Sequence, residues 1–297
     1  MVDTQRITDN TLLFTSDAML VNAGLVMHEG RVILVDSMVR PTDVHMIRNF
    51  LEERNLPLDY IVNTHWHSDH CYGNRMLKAE ETQCVAHQLH SETLARERNM
   101  FKPGKPAPLG RDRVPAVDIT FEHRCDWVMG QWQVDSAPLP AAELQIIHAA
   151  GHSPDLSYLY LPRDKVLFAG DNVLYKDNEH IALPYFYWDD EERLIQGLKM
   201  IMELDVELIV PGHGDPVYRL KIEEDISYLT ALQKAALELV KNDSFTDAAH
   251  LEQVLVANLD AMELYPDSEG KSIWQPQVHA MNLRRLALKY SRPMEAR

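Results

Sequence analysis

A chain of 297 residues, 45% apolar and 25% charged, is long enough for one large globular domain or for one domain with an appendage. Its 29 Lys plus Arg stand against 45 Asp plus Glu, a net charge of −16 that repels phosphate backbones and argues against a nucleic-acid partner. Three cysteines (Cys71, Cys84, Cys125) are too few for a disulfide framework and point to a reducing, cytoplasmic setting; no apolar run approaches the ~20 residues of a membrane span. The first ten residues carry Asp3, Arg6 and Asp9, unlike a signal peptide.

The chain opens on β-type patterning. Thr11–Phe14 reads as a short strand, and residues 19–28 and 31–36 as two runs joined at Glu29-Gly30, a hairpin signal. Asp36 ends the second run. Pro41 then starts a helix in which Val44, Ile47, Phe50 and Leu51 recur at helical spacing, stopped by 55–57. A strand over 58–62 follows, then a helix over about 74–79, a strand over 83–86 and a helix over 89–98. This alternation predicts an α/β protein. Residues 101–115 hold four prolines and two glycines and read as a loop. Strands return at 127–128, 132–134, 144–147, 158–161 and 166–168. An amphipathic helix is expected over 191–204 and a last strand over 206–210. After Pro216 strand signals vanish, and three helical stretches (222–240, 246–259, 274–290) make a C-terminal helical region, so the expected boundary divides 1–217 from 218–297.

The densest chemical signal is Thr64-His65-Trp66-His67-Ser68-Asp69-His70, directly after the apolar Tyr60-Ile61-Val62. Imidazole and carboxylate in H-x-H-x-D-H spacing suit a borderline cation such as zinc. Three further strand ends each put one His or Asp beside a glycine: Gly151-His152, Gly170-Asp171 and Gly212-His213-Gly214. The count fits two ions. His65 and His67 share a face of an extended segment, and with His152 they leave an open position of the catalytic kind. Asp69 and His70 lie where the chain turns into a helix and serve a second ion, completed by His213. Asp171 is the natural bridge, because a carboxylate has two oxygens. Ions ~3.5–4 Å apart can share a hydroxide whose pKa is pushed toward ~7.

These motifs, in this order, resemble the metallo-β-lactamase-fold superfamily over about residues 10–217, and Asp36 matches an early motif of that family. The resemblance implies an αββα sandwich of two mixed sheets with the metals at one sheet edge. The ligand set looks like the glyoxalase II and lactonase branch, since β-lactamases tend to carry Cys or Ser where this chain has Asp171. It departs from glyoxalase II at Cys71-Tyr72-Gly73, where paired glycines are usual, and from acyl-homoserine lactonases at Leu174, where a Tyr is usual and Tyr175 comes one residue late.

The expected function is dinuclear metal-dependent hydrolysis of a thioester, lactone or ester by a metal-bridging hydroxide, with two Zn2+ (Fe or Mn also suit the donors) and Asp69 orienting the nucleophile or taking its proton. A mononuclear iron sulfur dioxygenase is the first alternative and a phosphodiesterase or nuclease the second. The expected partner is a small-molecule substrate, and a homodimer is compatible. Tyr175, Tyr185 and Tyr187, with Phe186, Trp188 and His180 nearby, are candidates for lining the substrate pocket. His279 reads as a packing histidine and Cys71 as buried and structural.

Overall fold

The computed structural model describes residues 2–100, 114, 116–139, 142–242 and 245–295, of which 96–100 and 292–295 by their backbone alone. The loop expected at 101–115 thus lies outside the described residues, apart from Val114.

The first sheet starts as an antiparallel meander of β1 (Val2–Thr8), β2 (Thr11–Ser16), β3 (Asn22–His28) and β4 (Arg31–Val35). Glu29 and Gly30 turn β3 into β4 with φ of 48° and 76°, the left-handed pair that matches the twist of a tight hairpin. β5 (Tyr60–Val62), β6 (Gln83–His87) and β7 (Ile119–Phe121) then add in parallel. Parallel addition needs crossovers. They are α1 (Pro41–Glu53), the short α2 (Ser68–Cys71) and α3 (Asn74–Leu77), and α4 (Leu89–Met100). In α1 the proline sits in the first turn, where its missing N–H costs nothing, and Val44, Ile47 and Leu51 bury one face.

The second sheet contains β8 (Arg124–Val128), β9 (Gln131–Val134), β10 (Leu144–His148), β11 (Ser157–Leu161) and β12 (Val166–Leu174). After β12 the chain leaves the sheet for β13 (His180–Ala182), forms α5 (Glu191–Glu203), and returns as β14 (Leu208–His213), parallel to β12. The spatial order is β14-β12-β11-β10-β8-β9. The C-terminal part adds α6 (Arg219–Asn242), α7 (Ala248–Asn258), α8 (Ala261–Leu264), β15 (Ser272–Trp274) and α9 (Gln277–Glu295).

Strand alternation sets the layers. Ile33 and Val35 of β4 join Leu159, Phe168 and Val210 in the core between the sheets, while Val32 and Leu34 join Val44, Ile47 and Leu51 of α1 on the outer face. Each such buried side chain contributes roughly 1.5–3 kcal/mol. The outer face of the second sheet (Tyr158, Tyr160, Leu167) is covered by Leu194 and Leu198 of α5, and that core continues into Tyr228 of α6 and Leu283 and Leu286 of α9. The result is the expected αββα sandwich, with the C-terminal helices packed into its second outer layer.

Several elements differ from expectation. β1, β7, β13 and β15 were not foreseen, and β15 corrects the reading that strands end at Pro216. Three-residue strands are too short to show a period, and β15 exists only by pairing in parallel with β13. Trp274 accordingly belongs to a strand, and the last helix starts at Gln277. β12 runs on to Leu174 instead of stopping at Phe168, because β14 pairs alongside it as far as His213. Its register with β14 is irregular between Gly170 and Leu174, and Asp171 sits in that irregular stretch.

Candidate metal centre

All seven residues singled out from the sequence converge at one end of the sandwich. They do so in two sets, His65, His67, His152 and Asp171 in one, and Asp69, His70 and His213 in the other. The turn after β5 delivers His65 and His67, and α2 carries Asp69 and His70. The turn after β10 brings His152, β12 carries Asp171 within its irregular stretch rather than at its end, and β14 ends on His213.

Asp171 stands between the sets. Its Oδ2 lies 3.4 Å from His152 Nε2 and 3.7 Å from His65 Nε2. Its Oδ1 lies 3.2 Å from His70 Nε2 and 3.4 Å from His213 Nε2. Asp69 Oδ2 completes the second set, 3.3 Å from His213 Nε2 and 3.9 Å from His70 Nε2.

The outward ring nitrogens fix the tautomers. His152 Nδ1 faces the carbonyl of Tyr185 at 2.8 Å and His213 Nδ1 that of Met19 at 2.8 Å. A carbonyl only accepts, so both nitrogens carry the proton. His70 Nδ1 donates to Asp36 Oδ2 at 2.8 Å. Thr64 gives its hydroxyl proton to the same oxygen at 2.7 Å, and therefore accepts from His65 Nδ1 at 3.0 Å. Four histidines thus turn an Nε2 lone pair inward. His67 is reversed, with Nδ1 inward and Nε2 buried without a hydrogen-bond partner. His67 Nδ1 lies 2.9 Å from both His65 Nε2 and His152 Nε2.

Three inward lone pairs at that spacing repel unless a cation lies among them. Burial reinforces this by holding His65 well below the usual histidine range, His152 below it and His67 down at about 3. In the second set burial also opposes charge on His70 and His213, but Asp171 and the other carboxylates outweigh it. His70 is pushed well up and His213 to about 10. Burial opposes ionisation of Asp69 and Asp171 as well, and there the neighbouring histidines prevail and lower both. Three neutral inward imidazoles in the first set, two in the second whose surroundings favour positive charge, two ionised carboxylates and a buried Asp171 Oδ1 with no hydrogen bond form a donor set that fits divalent cations.

Support comes from residues outside the seven. Asp36, at φ 58°, accepts from Thr64 N (2.8 Å), Thr64 Oγ1 and His70 Nδ1, and so braces one histidine of each set. Asn172, next to Asp171, accepts from His152 N at 2.8 Å. A Cβ at Gly212 would meet Asp171 Oδ1 at 1.9 Å, so the bridging position requires glycine there. The carbonyls of Tyr185 and Met19 are backbone groups, and no side-chain motif signals them.

The aromatic candidates divide. The Tyr185 ring lies 5.2 Å from His152, Trp188 5.6 Å from His67, and Tyr187 5.2 Å from Trp188, centroid to centroid. Phe186 points away into the core. Tyr175 and His180 line a different cavity of about 470 Å³, shared with Tyr265 and Lys271, whose lining includes none of the seven. His279 packs as expected, its Nδ1 2.9 Å from Tyr228 OH, and Cys71 is buried.

Two packed sheets with a dense His/Asp cluster at one edge define a metal-site protein of the αββα class. The profile of the Metallo-beta-lactamase superfamily matches residues 16–213, and the chain belongs to that family. It is 25% identical over 247 residues to the Beta-lactamase-like protein 2 homolog of Caenorhabditis elegans, covering 83% of this chain and 69% of that protein. It is 28% identical over 152 residues to a hydroxyacylglutathione hydrolase of Brucella anthropi, covering 51% of this chain and 47% of the relative. Among solved structures, a metallo-beta-lactamase from Pontibacter korlensis superposes with a TM-score of 0.59 at 20% identity, covering 77% of this chain and 99% of that one. At that identity the likeness shows the fold alone. Among the described residues no helix is long and apolar enough to cross a membrane.

Proposed function

We propose that this chain is a dinuclear metallohydrolase that cleaves an ester-type carbonyl bond, in a thioester, lactone or ester. The observation that carries the reading is Asp171, with one oxygen turned to each set of histidines. Two divalent ions, zinc by the nitrogen-rich donor set, would supply a Lewis acid for the carbonyl oxygen and a water of lowered pKa. His65, His67 and His152 would hold one ion; Asp69, His70 and His213 the other; Asp171 would serve both. The chain's own part is positioning. Asp36 and Thr64 keep His65 and His70 in the tautomers that turn lone pairs inward. Asp69, partly open to solvent at 17% exposure, would take the proton released as water adds to the carbonyl. The Brucella relative, named for hydrolysis of an acyl-glutathione, supports the acyl-transfer class.

The test combines metal analysis of the purified protein with a panel of thioesters, lactones, β-lactams and phosphodiesters, run beside His67→Ala and Asp171→Ala. Both variants are expected to stay folded and lose metal and turnover. Full turnover with normal metal content in either would defeat the assignment.

A further inference from the structure

The two sets of ligands have different surroundings. Against the first stand Tyr185, Tyr187 and Trp188, all half-buried, with Trp66 behind Trp188 at 5.5 Å. Against the second, the ring contacts among the described residues are those of His70 with His213 and with His65, all of them ligands themselves. Among the described residues, one side of the centre is therefore walled with aromatic surface and the other is not.

The wall is ordered. The planes of Tyr185 and Tyr187 lie 10° apart with centroids at 6.4 Å, and Trp188 stands at 82° to Tyr187. Two near-parallel rings and one upright ring offer a flat π-system both offset-stacked and edge-to-face contacts. The segment is held from below. Asn282 of α9, fully buried, donates to Pro184 O at 2.8 Å and accepts from Phe186 N at 3.2 Å. Arg285 Nε holds Asp189 O at 2.6 Å, and Tyr185 OH meets Met281 Sδ at 3.4 Å. Phe186 is buried in the core, while Tyr185 packs against that core, Trp188 packs against the Trp66 cluster, and both, like Tyr187, keep a half-exposed surface for a ligand. Rings fixed in advance lose little entropy when one binds.

We infer that Tyr185, Tyr187 and Trp188 form an acyl-group subsite on the His67–His152 side, which takes a planar aromatic acyl group in preference to an aliphatic one of the same size. This rests on the hydrolase reading above for the word acyl, and on ring geometry for the word aromatic.

The test uses zinc-loaded protein and three carboxylates that share the same metal-binding end: 2-naphthoate, benzoate and cyclohexanecarboxylate. Binding is followed by calorimetry, and the same acyl groups are offered as thioesters. The expected result is that 2-naphthoate and benzoate bind about tenfold tighter than cyclohexanecarboxylate. In Tyr187→Leu and Trp188→Leu, with metal content checked, that ratio falls toward one. Equal affinities in the parent, or a ratio unchanged in both variants, would overturn the subsite. If the aromatic preference holds while no ester of any kind turns over, the hydrolase reading fails and the aromatic subsite stands.

Discussion

Asp36→Asn separates the bracing of the site from its ligands. Asp36 is buried and sits at φ 58°, a left-handed conformation that asparagine tolerates well, so the backbone should hold. The position of Oδ1 accepts the backbone N–H of Thr64, so the amide must place its oxygen there. Its NH2 then occupies the position of Oδ2, facing His70 Nδ1 and Thr64 Oγ1. His70 must accept at Nδ1 and move its proton to Nε2, where the lone pair for the second set was. Thr64 can still accept from His65, so the first set keeps its tautomer. Losing such an outer partner typically costs 10–100-fold in metal affinity. Stability should fall by about 1–3 kcal/mol, the cost of one disturbed buried bond. Asp36→Ala is harsher. It strands three donors and puts a Cβ-bearing residue with no polar side chain at positive φ, for roughly 3 kcal/mol or more. Chelator competition followed by metal analysis reads the outcome: Asp36→Asn should retain one ion tightly and release the other. Two ions held at parental affinity would refute the tautomer argument.

Other substitutions probe different parts of the account. Gly212→Ala puts a Cβ 1.9 Å from Asp171 Oδ1, with Gly170 backbone at 2.8 Å leaving no room to yield; displacement of the bridge should cut metal retention and turnover by roughly 100-fold, measured by metal content and steady-state kinetics. Asn282→Leu leaves Pro184 O and Phe186 N without their buried partner, for about 2–5 kcal/mol in chemical denaturation, and loosens the Tyr185 carbonyl that orients His152. Asp189 is buried, and burial, only partly offset by Arg193, raises its pKa to about 6. An acid raised on folding binds more protons in the native state between pH ~4 and ~6, so it lowers stability as pH climbs through that window, by on the order of 2–3 kcal/mol. Asp189→Asn should remove that slope in denaturation curves from pH 4 to 7 and be the more stable protein at pH 7; parallel pH profiles for the two would contradict this.

The centre was legible where ligands cluster. Four of the seven fall within His65–His70, and the other three each adjoin a glycine. Gly212 shows why: no side chain fits beside Asp171. The tautomers were not legible, because they depend on Asp36 and Thr64 across 28 residues of separation and on carbonyls at Met19 and Tyr185. The long amphipathic helices and the paired strands of the sandwich follow from their periodicity. β15 does not, since it is held by a partner almost a hundred residues away. Tyr175 and Tyr185 look equivalent in the sequence as tyrosines downstream of Asp171. The excursion through β13 carries Tyr175 to a separate cavity and brings Tyr185 back to His152.

The central claim is a two-ion site bridged by Asp171. Its most direct test is the metal stoichiometry of the purified chain, determined alongside Asp171→Ala. The account predicts two divalent ions per folded parent chain, with both lost or weakened together in the variant and the fold kept. A single iron per chain, with sulfite formed from glutathione persulfide, or two ions undisturbed by Asp171→Ala, would contradict it.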